Sequence, residues 1–127
     1  MGGTNVVLTG LVPSNLTILG GGVWGATLAA IGQANGHEVK VWSRRGNLLL
    51  EDSVTAAAVI IAAISMKGVQ EIADRLKSIS IPSDTILVSA TKGLAPTTCQ
   101  TPSQIWAVAF PHNPIAVLSG PNLSQEI

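Results

Sequence analysis

Gly20, Gly22 and Gly25 stand in the spacing G-x-G-x-x-G directly after the short apolar run Leu16 to Leu19. That spacing suits the pyrophosphate of a dinucleotide. The first glycine permits a tight turn off a strand. The second has no Cβ to keep phosphate from the backbone, and the third lets the following helix pack closely. The start of such a helix offers unpaired N–H groups and partial positive charge to an anion. About 20 residues past the first glycine, an NAD fingerprint carries Asp or Glu for the ribose 2′-hydroxyl. Here the sequence reads Ser43-Arg44-Arg45. A guanidinium suits a 2′-phosphate through paired hydrogen bonds. NADP(H) is therefore favoured as cofactor, with Arg44 the better contact, and NAD(H) stays open. So does the plainer reading of both arginines as solvated surface charge.

Lys92 follows the β-branched run Thr85 to Ala90. That puts it at the carboxyl end of a sheet, where open α/β sheets bind ligands. An ammonium there can pair with phosphate and stabilise a carbonyl oxygen as it gains charge. The other reactive side chains carry less. His37 follows a helix stop, far from the carboxyl edge, and reads as structural. His112 sits between Pro111 and Pro114 and reads as a loop residue. Cys99 lies in the polar stretch Thr-Thr-Cys-Gln-Thr with no cation or helix start to activate it.

The elements that must position these residues alternate along the chain. Leu16–Leu19 reads as a strand, Val23 to Ala34 as an Ala-rich helix stopped by Gly36, and Glu38 to Trp42 as a second strand. Leu48 to Ala56 suits a short helix. Val59 to Ile64 is a continuous apolar run, the mark of a parallel strand covered on both faces. Val69, Ile72, Ala73 and Leu76 have helical spacing within Lys67–Ser78. Pro82 and Asp84 mark a turn, Thr85–Ala90 a strand, Pro102–Phe110 a helix and Ile115–Leu118 a last strand. This alternation implies βαβ crossovers and an α/β fold, a doubly wound, mostly parallel sheet of the Rossmann dinucleotide-binding type.

Composition narrows the partners. Apolar residues make up 46% of the 127 and charged residues 11%, with seven basic and seven acidic side chains. No basic field exists to draw nucleic acid, so an anionic ligand must be held locally. One cysteine allows no internal disulfide. No apolar run approaches the ~20 residues of a membrane span. Residues 1–14 lack the basic start and apolar core of a secretory signal, and Val6 does not fit a myristoylation signal. They read as a tail before a dinucleotide-binding domain over 15–127, and a cytoplasmic location is expected.

Four segments together resemble a known family. They are Gly20-Gly-Gly-Val-Trp-Gly25, Asn35-Gly-His-Glu-Val-Lys-Val-Trp42, Ala90-Thr-Lys92-Gly93-Leu94 and Leu118-Ser-Gly120-Pro121-Asn122. In order, they resemble the bacterial NAD(P)-dependent sn-glycerol-3-phosphate dehydrogenases over nearly the whole chain. Val41-Trp-Ser-Arg-Arg-Gly and Thr101-Pro-Ser-Gln-Ile-Trp106 look most like cyanobacterial members. The resemblance implies hydride transfer between NAD(P)H and dihydroxyacetone phosphate, giving sn-glycerol 3-phosphate for glycerophospholipid synthesis. By position it implies cofactor contacts at Gly20, Gly22, Val23, Trp24, Gly25, Arg44 and Ser124. Lys92 would touch both cofactor and substrate, and Gly120 and Asn122 would lie on the substrate side. A homodimer is compatible with it.

The chain also departs from the family. The segment Ser43 to Ala58 is shorter than in most members, so a strand or helix that walls the adenine pocket is expected to be reduced. An acidic residue is replaced by Ala56-Ala57-Ala58, and Ser65-Met66 stands where Pro-Ser is common. The family has a second, all-helical domain with a proton-transferring lysine, and the chain ends at Ile127 before it. Two readings follow: the cofactor domain of an oxidoreductase, or a non-catalytic dinucleotide-binding module. A hydroxyacyl-CoA or ketopantoate-reducing dehydrogenase fits the T-K-G-L and S-G-P segments less well.

Overall fold

A computed structural model describes residues 14–91 and 100–118. Five parallel strands form one sheet: β1 Asn15–Leu19, β2 Glu38–Trp42, β3 Val59–Ala62, β4 Ile86–Ser89 and β5 Ile115–Val117. Four helices connect them in turn: α1 Val23–Ala34, α2 Leu50–Val54, α3 Met66–Lys77 and α4 Pro102–Ala109. The strand order β2-β1-β3-β4-β5 makes β1 central to the winding. The chain leaves β1 for β2 on one side, then returns to β3 on the other. Such a reversal opens a crevice at the carboxyl ends of the strands, where a ligand can enter.

The alternation of side chains along each strand splits the core in two. Leu16 and Ile18 of β1 and Val59 and Ile61 of β3 pack with Leu28 and Ala29 of α1. Leu19, Ile60 and Ala62 face the other way, against Leu50 and Val54 of α2, Val69, Ile72, Ala73 and Leu76 of α3, and Ile105 and Trp106 of α4. All four residues of β3 are buried, as its unbroken apolar run requires. Thr17 is buried too, and its hydroxyl donates to the Ser53 carbonyl at 2.5 Å, pinning α2 under the sheet.

Local chemistry sets the helix ends. Gly36 takes φ +86°, and the N–H groups of Gly36 and His37 donate to the carbonyls of Gln33 and Gly32. This is a Schellman closure, with glycine at the left-handed position. At α4, Thr101 accepts from the Gln104 N–H while the Gln104 side chain accepts from the Thr101 N–H, and Pro102 takes the first turn. Ends move by a few residues from the sequence reading. β3 stops at Ala62 rather than Ile64, because its neighbour β1 ends at Leu19, and the Ala63 N–H to the Leu19 carbonyl is the last rung of their ladder. The helix expected over Leu48–Ala56 is the single turn Leu50–Val54, so the 43–58 segment holds no strand. No helix among the described residues is long and apolar enough to cross a membrane.

The α3 face tests the core. Ile72 has no solvent exposure, and Ile72→Ala should cost about 2–5 kcal/mol. The urea midpoint should fall accordingly, and a loss under about 1 kcal/mol would contradict this packing.

Candidate functional site

The turn from β1 into α1 is built on backbone contacts that leave no room for side chains. Gly20 sits at φ +120°, and a Cβ there would lie 2.5 Å from the Ala63 carbonyl oxygen. Its N–H donates to the Trp42 carbonyl at 2.7 Å, so the ends of β1, β2 and β3 meet at this residue. A Cβ on Gly25 would stand 2.1 Å from the Gly20 carbonyl oxygen. Helix α1 therefore abuts the turn it springs from. Gly22 differs, because a Cβ on it would meet nothing within 4 Å. It faces open space at the helix start.

That start is electrostatically uncompensated. Gly22 is the N-cap of α1, no side chain caps it, and the first turn holds no acidic residue. The leading N–H groups keep their partial positive charge for an external anion. At α4, by contrast, Thr101 and Gln104 close the start, whereas α3 is uncapped behind Ser65 and, like α1, carries no acidic residue in its first turn.

A cleft of about 470 Å³ opens before the turn, lined by Gly20–Gly22, Trp42–Arg45, Ala63–Ser65 and Gly68. It lies at the sheet's carboxyl edge, where the winding reverses, and its volume is in the range of small-molecule sites. The short 43–58 segment thus leaves a cleft beside β2. Among the described residues its lining offers donors and no Asp or Glu, as an anion requires.

The residues singled out from sequence fall into three groups. Gly20, Gly22 and Arg44 line the cleft, with Gly25 supporting it from behind. Val23 opens α1 and is 86% exposed, an apolar side chain held in solvent beside the turn. Trp24 is turned toward the far strands. Its indole N–H donates to the Ala90 carbonyl at 2.9 Å, tying the first turn of α1 to the end of β4. Lys92, Gly120, Asn122 and Ser124 lie outside the described residues, as do Gly93 and Cys99. Thr91, next to Lys92, donates its hydroxyl to the Ile64 carbonyl at 2.6 Å, which anchors the β4 exit at the same edge. His37 is buried at the start of β2, its Nδ1 3.3 Å from the Ser14 N–H, and His112 is exposed on its loop.

Sequence reasoning missed Glu71. The Arg44 guanidinium meets the Glu71 carboxylate on two sides, at 2.6 and 3.0 Å. Arg44 reaches it by lying over Gly68, where a Cβ would stand 3.3 Å from the guanidinium. The hydrogen bond to Glu71, then its charge, raises the Arg44 pKa. The hydrogen bond from Arg44 holds Glu71 below its usual carboxylate value, with the charges of Arg44 and Arg75 adding to it. Both groups are therefore charged at neutral pH, and the ion pair is lost only as pH falls through that depressed value. No signal within 27 residues of separation links these two, since their meeting needs the β3 crossover.

Comparison with known proteins bears on this site. Residues 15–51 and 47–127 match the family described as NAD-dependent glycerol-3-phosphate dehydrogenase N-terminus. The chain is 57% identical over 112 residues to glycerol-3-phosphate dehydrogenase (NAD(P)+) of Acaryochloris marina, a match covering 88% of the chain and 36% of that protein. It is 54% identical over 114 residues to the protein of that name in a Nostoc species, covering 90% of the chain and 37% of the relative. The chain thus spans little more than a third of these relatives. A crystal structure of glycerol-3-phosphate dehydrogenase from Coxiella burnetii superposes with TM-score 0.79 at 24% identity, covering 90% of this chain and 43% of that one, a likeness of fold.

Two glycine substitutions separate cradle from scaffold. Gly22→Ala should fold with a stability loss of at most about 1 kcal/mol, since alanine is a poorer N-cap, yet weaken dinucleotide binding at least roughly tenfold by filling the approach to the N–H groups. Gly25→Ala should lower the melting temperature itself. Equal binding by Gly22→Ala and wild type, measured by calorimetry, would remove the cradle from the argument.

Proposed function

The chain belongs to the NAD-dependent glycerol-3-phosphate dehydrogenase N-terminal family, and on that premise we propose that it holds the dinucleotide for a reversible reduction of dihydroxyacetone phosphate to sn-glycerol 3-phosphate. The observation that carries the proposal is the open start of α1, uncapped behind Gly22 and facing a cleft whose described lining holds no Asp or Glu. A pyrophosphate fits there, because backbone N–H groups can approach it where no Cβ intervenes.

Each residue of the cleft has a task on this reading. Gly20 and Gly25 fix the helix start, Gly22 admits the phosphates, and the exposed Val23 covers an apolar part of the dinucleotide. Arg44 and its neighbour Arg45 stand at the end of β2, where the fingerprint puts the ribose. A guanidinium there favours NADP(H) over NAD(H), with both accepted. Trp24, fastened to Ala90, keeps the β4 exit against α1. A bound nicotinamide would supply or take up the hydride. Family resemblance assigns Lys92 to both cofactor and substrate, Ser124 to the cofactor, and Gly120 and Asn122 to the substrate. The same reading puts the protein in the cytoplasm and its product at the entry to glycerophospholipid synthesis, and is compatible with a homodimer.

Reducing a ketone also needs a proton at its oxygen. The described lining of the cleft is glycine, alanine, isoleucine, serine, tryptophan and arginine, with no general acid suited to that transfer. This favours, as a second reading, a dinucleotide-binding module without catalysis of its own. In calorimetry the 127-residue chain should bind NADPH more tightly than NADH, and with dihydroxyacetone phosphate it should oxidise NADPH slowly or not at all. Equal affinities would overturn the NADP(H) preference. Rapid turnover by this chain would overturn the second reading.

A further inference from the structure

We propose that Glu71 is a specificity-determining residue, which sets the ratio of NADPH to NADH affinity by holding Arg44 away from a 2′-phosphate. This rests on the reading of the cleft as a nicotinamide dinucleotide site. Arg44 lines the cleft with its backbone at the end of β2, but its guanidinium is taken up by Glu71 on α3, through contacts of 2.6 and 3.0 Å. A 2′-phosphate must take that guanidinium from a carboxylate already paired to it on two sides. NADH, with a plain 2′-hydroxyl, makes no such demand. Glu71 therefore penalises one nucleotide and leaves the other almost untouched.

The pair is built to be exchanged. Both side chains are about half exposed, at 52% and 54%. An ion pair in that setting shifts an equilibrium by a factor of roughly 1.5 to 5, which a doubly charged phosphate can outweigh. Release of Arg44 does not strand Glu71. Arg75 stands one helical turn further along α3, its charge already acts on Glu71, and its guanidinium lies 5.6 Å over the Trp42 ring. Arg44 also rests across the first turn of α3, where the helix dipole disfavours a cation and favours an anion. Moving toward a phosphate relieves that placement. The outcome is a site that accepts both nucleotides, with a preference for NADPH weaker than its arginine alone would give.

The test is a calorimetric cycle on the 127-residue chain with NADPH and NADH as probes, using wild type, Glu71→Gln, Arg44→Ala and the double variant. Glu71→Gln should tighten NADPH two- to fivefold and change NADH by less than about 1.5-fold. In the Arg44→Ala background the same substitution should give less than half that gain. Equal changes for both nucleotides would overturn the assignment of specificity. An undiminished gain without Arg44 would overturn the holding mechanism and leave direct repulsion in its place. Binding of neither nucleotide by any variant, with folding intact by circular dichroism, would instead overturn the cofactor reading on which the proposal stands.

Discussion

The close approach of α1 to its own turn is the constraint from which the site follows. A Cβ at Gly25 would sit 2.1 Å from the Gly20 carbonyl oxygen, so the helix can begin where it does only with glycine there. Gly20 in turn occupies a left-handed φ and donates to Trp42, with the Ala63 carbonyl against its other side. One residue thus gathers the carboxyl ends of β1, β2 and β3. The direction of α1, the exposure of its leading N–H groups and the position of the cleft all depend on that junction. Backbone geometry, rather than any reactive side chain, shapes the candidate anion site.

Charge plays a local part for the same reason. With seven basic and seven acidic side chains the chain has no net field to steer an anion. Attraction must come from helix dipoles, which fall off within a turn, and from cations placed at contact range. Arg44 is such a cation, but the sheet winding brings Glu71 of α3 against it. A cleft that would otherwise be strongly basic is thereby moderated, and Arg75 and Trp42 extend the balance along the α3 face.

Much of the architecture could be read directly because its causes are local. The apolar run at β3, the helical spacing of Val69, Ile72, Ala73 and Leu76, and Gly36 closing α1 each express a rule that acts over a few residues. Element ends were less accessible. β3 ends two residues early because its partner β1, about 40 residues back in the chain, ends at Leu19 and turns away at Gly20. The capping box of α4 lies in Thr101 and Gln104, whereas the sequence reading of that helix start rests on Pro102 alone.

The sequence by itself determined the alternation of strands and helices, the glycine spacing, the absence of a carboxylate after β2 and the family likeness. These are properties of neighbouring residues, or of segments matched in order. Only the tertiary structure decided that Arg44 rests on Glu71, that Trp24 is spent on Ala90, and that Gly22 alone of the three motif glycines faces open space. Those facts depend on which strand lies beside which. In a doubly wound sheet that is set by the crossover from β2 past β1 to β3, where burial of two apolar faces, and not sequence distance, selects the partners.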